Sequence, residues 1–248
     1  HMTPSFANIL FSGPCNLSCT FCIGKYLPPR PNNLDTFPLQ NLSSFLEELS
    51  DRDIVQVSLT GTNTDPLLYR HGLRLVEAIR TALPRARINL HTNGRIAHRQ
   101  LDFINACDRM ALSIVSLSPT TARELTGQSS GLDLRRLVQE IRIPIKVSTV
   151  IMPANVGEIP TIIETCQTLG IKRLAFRKLV NPGQSAASGK LAEVARQFGP
   201  AIQRTFGQNL VYELPNLEIT LWDFENSDLN CLNLFSDGTI SRDYRLAS

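Results

Sequence analysis

Cys15-Asn16-Leu17-Ser18-Cys19-Thr20-Phe21-Cys22 sets three cysteines at C-x3-C-x2-C, just after a short apolar run, Ile9-Leu10-Phe11, and a turn signal, Ser12-Gly13-Pro14. Three thiolates this close in sequence can wrap one face of a metal cluster, because the segment between them is long enough to curl and too short to separate them. Cysteine thiolates are the usual ligands of iron–sulfur clusters, which normally take four of them. Here no fourth cysteine lies near in sequence. A 4Fe–4S cluster held this way keeps one iron open to an outside ligand, just as an open position marks a catalytic metal rather than a structural one. Three plainer readings stand beside it. A structural zinc site wants four ligands in two pairs, and no second pair or neighbouring histidine is present. A Cys19-x2-Cys22 redox dithiol suits a reducing compartment but leaves Cys15 unexplained. Buried, unliganded cysteines are common singly and not at this spacing.

Outward from the motif, the chain has 248 residues, a net charge of +3, 42% hydrophobic and 19% charged residues. That composition suits one α/β barrel-like domain as well as two small domains. The basic excess is too weak to argue for nucleic acid, which calls for a clustered patch or a higher pI. No run approaches the ~18 apolar residues of a membrane span, and no secretory signal is present. Six cysteines with three of them clustered do not make a disulfide framework. The expected compartment is reducing and cytoplasmic.

Apolar, β-branched runs alternate with helical patterns, which predicts β/α units and a parallel sheet. Strands are expected at Ala7–Phe11, Ile54–Thr60, Arg87–His91, Met110–Leu117, Ile145–Ile151 and Lys172–Val180. Between them, Leu42–Leu49, Leu73–Leu83, Leu101–Cys107, a helix opened by Pro119, another ending before Pro144, and Ile159–Leu169 read as helices. The proline-rich stretch Ile23–Pro38 reads as a stiff excursion. Polar turns follow the first three strands: the cysteine loop, Gly61-Thr62-Asn63-Thr64-Asp65-Pro66, and Thr92-Asn93-Gly94. Such sheets carry their chemistry at the C-terminal ends of strands, so three loops converge on one expected site. The tail is expected to hold a helix over Gly189–Phe206 and short extended runs at Leu210–Tyr212, Ile219–Trp222, Asn233–Phe235 and Thr239–Ser241, with Ser236-Asp237-Gly238 as a hairpin turn.

C-x3-C-x2-C with Phe21 before the last cysteine resembles the signature of radical S-adenosylmethionine (SAM) enzymes. The core most resembles the group that forms the molybdopterin precursor. The resemblance implies a partial (β/α)6 TIM-like barrel over residues 1–182, with a C-terminal helix and short strands over 183–248 capping its mouth. It also implies a 4Fe–4S cluster on Cys15, Cys19 and Cys22 whose open iron is chelated by SAM. The cluster's electron then breaks the C5′–S bond to give a 5′-deoxyadenosyl radical that abstracts hydrogen from substrate. Phe21 is expected to lean on the adenine. Gly61, Thr62 and Asn63 stand where the family keeps Gly-Gly-Glu for the SAM ammonium, with the acid replaced. Thr92 and Asn93 match a Thr-Asn-Gly that helps hold SAM, although Asn-Gly is also a plain turn signal. Ser113 matches a serine that contacts SAM, Lys146 and Ser148 a polar pair reaching the SAM carboxylate or the substrate, and Arg177 an arginine near the cofactor. Lys25, Tyr26, Asp65 and His91 are expected at the substrate by position.

The auxiliary-cluster cysteines of larger relatives are missing from the tail, where only Cys231 remains. Together with a compact chain, that implies a small-molecule substrate: a nucleotide, a sugar or a biosynthetic intermediate. SAM cleavage needs a potential near the low end of the known range, about −700 to +450 mV, so an electron donor such as flavodoxin or ferredoxin is implied. A glycyl-radical-enzyme activase or a peptide-modifying enzyme is the alternative within this chemistry. A non-catalytic iron–sulfur scaffold is the alternative outside it.

Overall fold

In the computed structural model, which describes residues 6–128, 132–179, 188–199, 202–224 and 230–243, the apolar runs form six parallel strands. These are β1 (Phe6–Phe11), β2 (Gln56–Gly61), β3 (Arg87–Thr92), β4 (Arg109–Ser113), β5 (Ile145–Ile151) and β6 (Arg173–Lys178). Between them run α1 (Leu42–Asp51), α2 (Gly72–Ala82), α3 (Leu101–Ala106), α4 (Pro119–Thr126), α5 (Leu134–Glu140) and α6 (Ile159–Thr168). Side chains alternate along each strand. Ile9, Phe11, Leu59, Leu90, Leu112 and Phe176 point one way, into a single core with Phe45 and Leu49 of α1 and Leu75 and Ile79 of α2. The opposite face carries polar side chains, among them Asn8, Ser58, Asn89, His91, Lys146 and Ser148. With the helices outside, the polar face turns inward and lines the lumen of a partial (β/α)6 barrel.

After β6, α7 (Ser188–Gln197) leads into β7 (Ile202–Phe206), β8 (Asn209–Leu214), β9 (Leu217–Trp222), β10 (Cys231–Leu234) and β11 (Ile240–Ser241). Among the described residues the sheet order is β11-β10-β1-β2-β3-β4-β5-β6-β9-β8-β7. β9 joins β6 and β10 joins β1, both in parallel. The tail therefore lengthens the sheet at both ends.

Three expectations are corrected. The helix expected over Gly189–Phe206 stops at Gln197, and Ile202–Phe206 is a strand paired with β8 across Gly207-Gln208. Gly207 and Gln208 lie at φ 54° and 69°, the positive-φ pair of a two-residue hairpin loop, so strand pairing overrides the helical spacing. The strand expected over Met110–Leu117 ends at Ser113. Beyond it the Glu158 carboxylate accepts the Ser116 hydroxyl at 2.6 Å and the Leu117 N–H at 2.8 Å, replacing a strand partner with a side chain. The excursion after the cysteines contains a short 3-10 turn, Ile23–Tyr26. Ser129–Gly131, Val180 and the turn expected at Asn181-Pro182-Gly183 lie outside the described residues. Among those described, no helix is long and apolar enough to cross a membrane.

Candidate active site

The loops at the C-terminal ends of β1, β2 and β3 meet around the cysteine segment. Its backbone docks on the end of α4, where Ser18 and Thr20 N–H groups donate to the Thr126 and Leu125 carbonyls, both at 2.9 Å. Asn16 is gripped from two sides: Asn93 Nδ2 donates to its Oδ1 at 2.9 Å, and Gln128 Nε2 to its carbonyl at 2.8 Å. From the β2 loop, the Thr64 hydroxyl donates to the Pro14 carbonyl at 2.6 Å, and Asn63 Oδ1 accepts the Gly13 N–H at 3.2 Å. A Cβ on Gly24 would stand 2.5 Å from the Thr62 carbonyl oxygen, and one on Gly61 only 1.9 Å from that of Thr64. Both places demand glycine because backbone meets backbone there.

Asp65 pins this assembly. Only 4% exposed, its carboxylate accepts the Thr92 hydroxyl and the Asn93 N–H at 2.7 Å each and the Leu67 N–H at 3.0 Å. Burial raises its pKa, against the pull of these three donors. By position Asp65 was a substrate contact; the structure gives it an interior role, holding Asn93 where it grips Asn16. Thr62 and Thr92, expected at SAM, also turn inward. The Thr62 hydroxyl shares a hydrogen with Ser12 Oγ at 2.7 Å, while that of Thr92 serves Asp65 and the Gly94 N–H. Their chemistry holds loops together, and a short polar side chain after a strand reads the same in sequence whether it braces or binds.

The three motif cysteines fit a cluster. Burial raises the proton affinity of Cys15 and brings the Cys19 thiol to about 11, and each feels the neighbouring thiols. Binding metal therefore displaces protons from thiols that are neutral in its absence. Among the described residues, no three His, Cys, Asp or Glu side chains converge on a single ion. Phe21, between the last two motif cysteines in sequence, is half-buried, and the Arg95 guanidinium lies in the field of Cys19. Lys25, exposed, donates to the Thr20 carbonyl at 3.4 Å, and Tyr26 closes the same 3-10 turn.

Below the mouth the lumen is layered. Ser113 and Ser148 face each other in register on β4 and β5. Two residues deeper, about 6–7 Å by strand rise, His91 and Lys146 flank Ala111 in one row. Burial brings Lys146 down to about 8, with Arg173, Arg177 and Arg109 adding repulsion and Glu218 opposing it. Burial, Lys146 and Arg177 together hold His91 neutral, near 3. The next row is Asn233, Asn8, Ser58 and Asn89. Sequence reading missed Asn16, Gln128, Arg95 and this floor. Asn16 and Arg95 had a signal, being adjacent to Cys15 and to the Thr-Asn-Gly turn.

A barrel of this kind, with three thiols at its mouth and a polar lumen behind them, defines a cluster-bearing α/β fold. The family model of the radical SAM superfamily matches residues 9–166, and the chain belongs to that superfamily. With membership come its two cofactors, a 4Fe–4S cluster and SAM, and radical chemistry. The chain is 27% identical over 152 residues to a GTP 3′,8-cyclase of Desulforamulus reducens, covering 59% of this chain and 46% of the relative. To the sporulation killing factor maturation protein SkfB of Bacillus subtilis it is 20% identical over 230 residues, covering 90% of this chain and 54% of the relative. The chain thus spans about half the length of these curated relatives. Streptococcus suis SuiB, solved with SAM, superposes with a TM-score of 0.69 at 15% identity, covering 97% of this chain and 61% of SuiB.

Proposed function

We propose that this chain is a radical SAM enzyme acting on a small polar molecule held in the barrel lumen. Cys15, Cys19 and Cys22 hold the cluster, and Phe21, Asn63, Ser113 and Ser148 stand at the mouth where SAM lies against it. When bound, the two cofactors supply the 5′-deoxyadenosyl radical. The chain's own part is to fix the cysteine loop through Asn16, Asn93 and Asp65, and to keep the substrate hydrogen beside SAM and away from bulk water. The observation that carries the substrate class is the lumen itself: layered histidine, lysine, serine and asparagine side chains instead of an apolar filling. A flavodoxin or ferredoxin delivers the electron.

A second reading, a peptide substrate, is favoured by the alignment of SkfB over most of this chain, tail included. Anaerobic reconstitution with iron, sulfide, SAM and dithionite tests both. Formation of 5′-deoxyadenosine is expected, and none from cluster-loaded protein overturns the proposal in favour of a scaffold. Stimulation by a protein-free, low-molecular-mass cell extract supports the small molecule. Stimulation by the peptide fraction alone supports the second reading.

A further inference from the structure

We infer that the base of the barrel, at the end away from the cysteines, binds a short phosphate chain on Arg87 and Arg109, with Arg142, Lys172 and Arg173 around them; this goes beyond the function proposed above and does not rest on it. The placement follows from the register. Arg109 pairs with Asn89 on the neighbouring strand, and Arg87 precedes Asn89 by two residues, so Arg87 and Arg109 project from the same face as Asn89 on adjacent strands. Arg173 pairs with Lys146 on that face too. Each of the three arginines opens its strand, β3, β4 and β6 in turn. Arg142 and Lys172, both exposed, lie in the turns that enter β5 and β6. Four neighbouring strand starts therefore carry cations across three strand spacings, about 14 Å. Arg109 stands four residues before Ser113 on β4, which sets the cluster about 13 Å below the mouth by strand rise.

The protein leaves this charge largely uncompensated. Among the described residues, the side chains of Arg87, Arg109, Arg142 and Lys172 make no hydrogen bond or ion pair. Burial first, then the charges of Arg87 and Arg173, lowers the proton affinity of Arg109, so the three guanidiniums feel one another. The acid in the field of Arg109 is Asp108, and its carboxylate already accepts Arg80 at 3.1 Å and the Ile88 N–H at 2.7 Å. Glu218 is taken by Arg173 at 3.4 Å and Arg204 at 2.5 Å. Like charges gathered this way repel until a counter-ion sits among them. Guanidinium forks match phosphate oxygens two at a time, and several forks in a row suit consecutive phosphates better than one carboxylate. Single-stranded nucleic acid would also call for aromatic side chains on which bases stack. Among the described residues, the large exposed aromatics are Phe206 and Phe224. Phe206 packs 6.5 Å from Trp222, at the rim end of β9, and Phe224 follows it there. The base offers charge without a stacking surface.

The test titrates the full chain, reconstituted anaerobically, with pyrophosphate in one arm and ADP in the other by calorimetry. Sulfate at matched ionic strength is the control. Saturable binding is expected, and the tighter arm tells the free anion from the phosphate chain of a nucleotide. Arg109→Gln and Arg87→Gln should each weaken it at least about tenfold, the scale of one lost charge-assisted hydrogen bond. Arg109→Lys keeps the charge and loses the fork, so its affinity should fall between. Arg123→Gln removes the same charge from exposed α4, where the cysteine loop docks, and should leave binding unchanged, as should saturating SAM. Without ligand, Arg109→Gln should melt no lower than the wild type because it relieves repulsion, which separates lost binding from a lost fold. Where it does not fold, the exposed Arg87 variant decides. Binding in neither arm, binding no tighter than that of sulfate, an equal loss in Arg123→Gln, or displacement by SAM overturns the inference. So does an oligonucleotide held by these arginines where pyrophosphate is not. Protein that binds pyrophosphate as expected yet forms no 5′-deoxyadenosine upholds the inference and fails only the function proposed above.

Discussion

In the folded chain the Lys146 ammonium releases its proton near pH 8, against an ordinary 10.5. Between those values the unfolded chain binds a proton that the native chain lacks, so stability without ligand should rise with pH across that window. Below about pH 8 both states are protonated and the whole penalty remains, up to about 3 kcal/mol. Lys146→Met should accordingly raise the urea midpoint at neutral pH and flatten the alkaline slope. A less stable variant would show that the ammonium is paired after all. His91 works at the other end: neutral down to about pH 3 when folded, it contributes stability above about 6.5 that is lost as the pH falls. Asp65 should be the costliest residue of the mouth. Asp65→Ala strands the Leu67 and Asn93 N–H groups, and about 2–4 kcal/mol of stability should go with them. Iron per chain, measured after reconstitution, should fall too, because Asn93 no longer has a fixed place from which to grip Asn16.

Elements were legible where one signal dominated and illegible where two competed. Strands β1, β2, β3 and β5 declare themselves as β-branched runs between turn residues, and β5 falls on the bounds Ile145–Ile151 that its sequence gives. β4 does not, since Leu112 to Leu117 stays apolar past the point where Glu158, forty residues on in sequence, takes over the backbone. No local pattern contains that acceptor. Likewise Ile202–Phe206 carries helical spacing, and only its pairing with β8 makes it a strand. The site shows the same division. The cysteine motif stands out by its spacing alone, whereas Thr62, Thr92 and Asp65, expected at ligands, make their hydrogen bonds within the protein, because binding and bracing draw on the same residue types. Glu158→Ala tests the β4 stop: freeing Ser116 and Leu117 should cost about 1–2 kcal/mol in denaturant unfolding. The Ser113 backbone amide should then exchange hydrogen faster than that of Leu112.

At the scale of the whole molecule, the cysteine loop is held by protein hydrogen bonds to α4, β2 and β3, and not by metal alone. Removing iron with a chelator under anaerobic conditions should lower the melting temperature, because a ligand specific to the native state is lost. The far-UV circular dichroism should nonetheless stay at the holo level. Collapse of the spectrum would mean that the metal builds the mouth. The tail has a further consequence. β9 pairs along the outer side of β6 and β10 along that of β1, so neither outermost core strand offers unpaired backbone to another molecule. The free borders pass to β7 on one side and β11 on the other. β11, two residues long, is too short a template for sheet-to-sheet association.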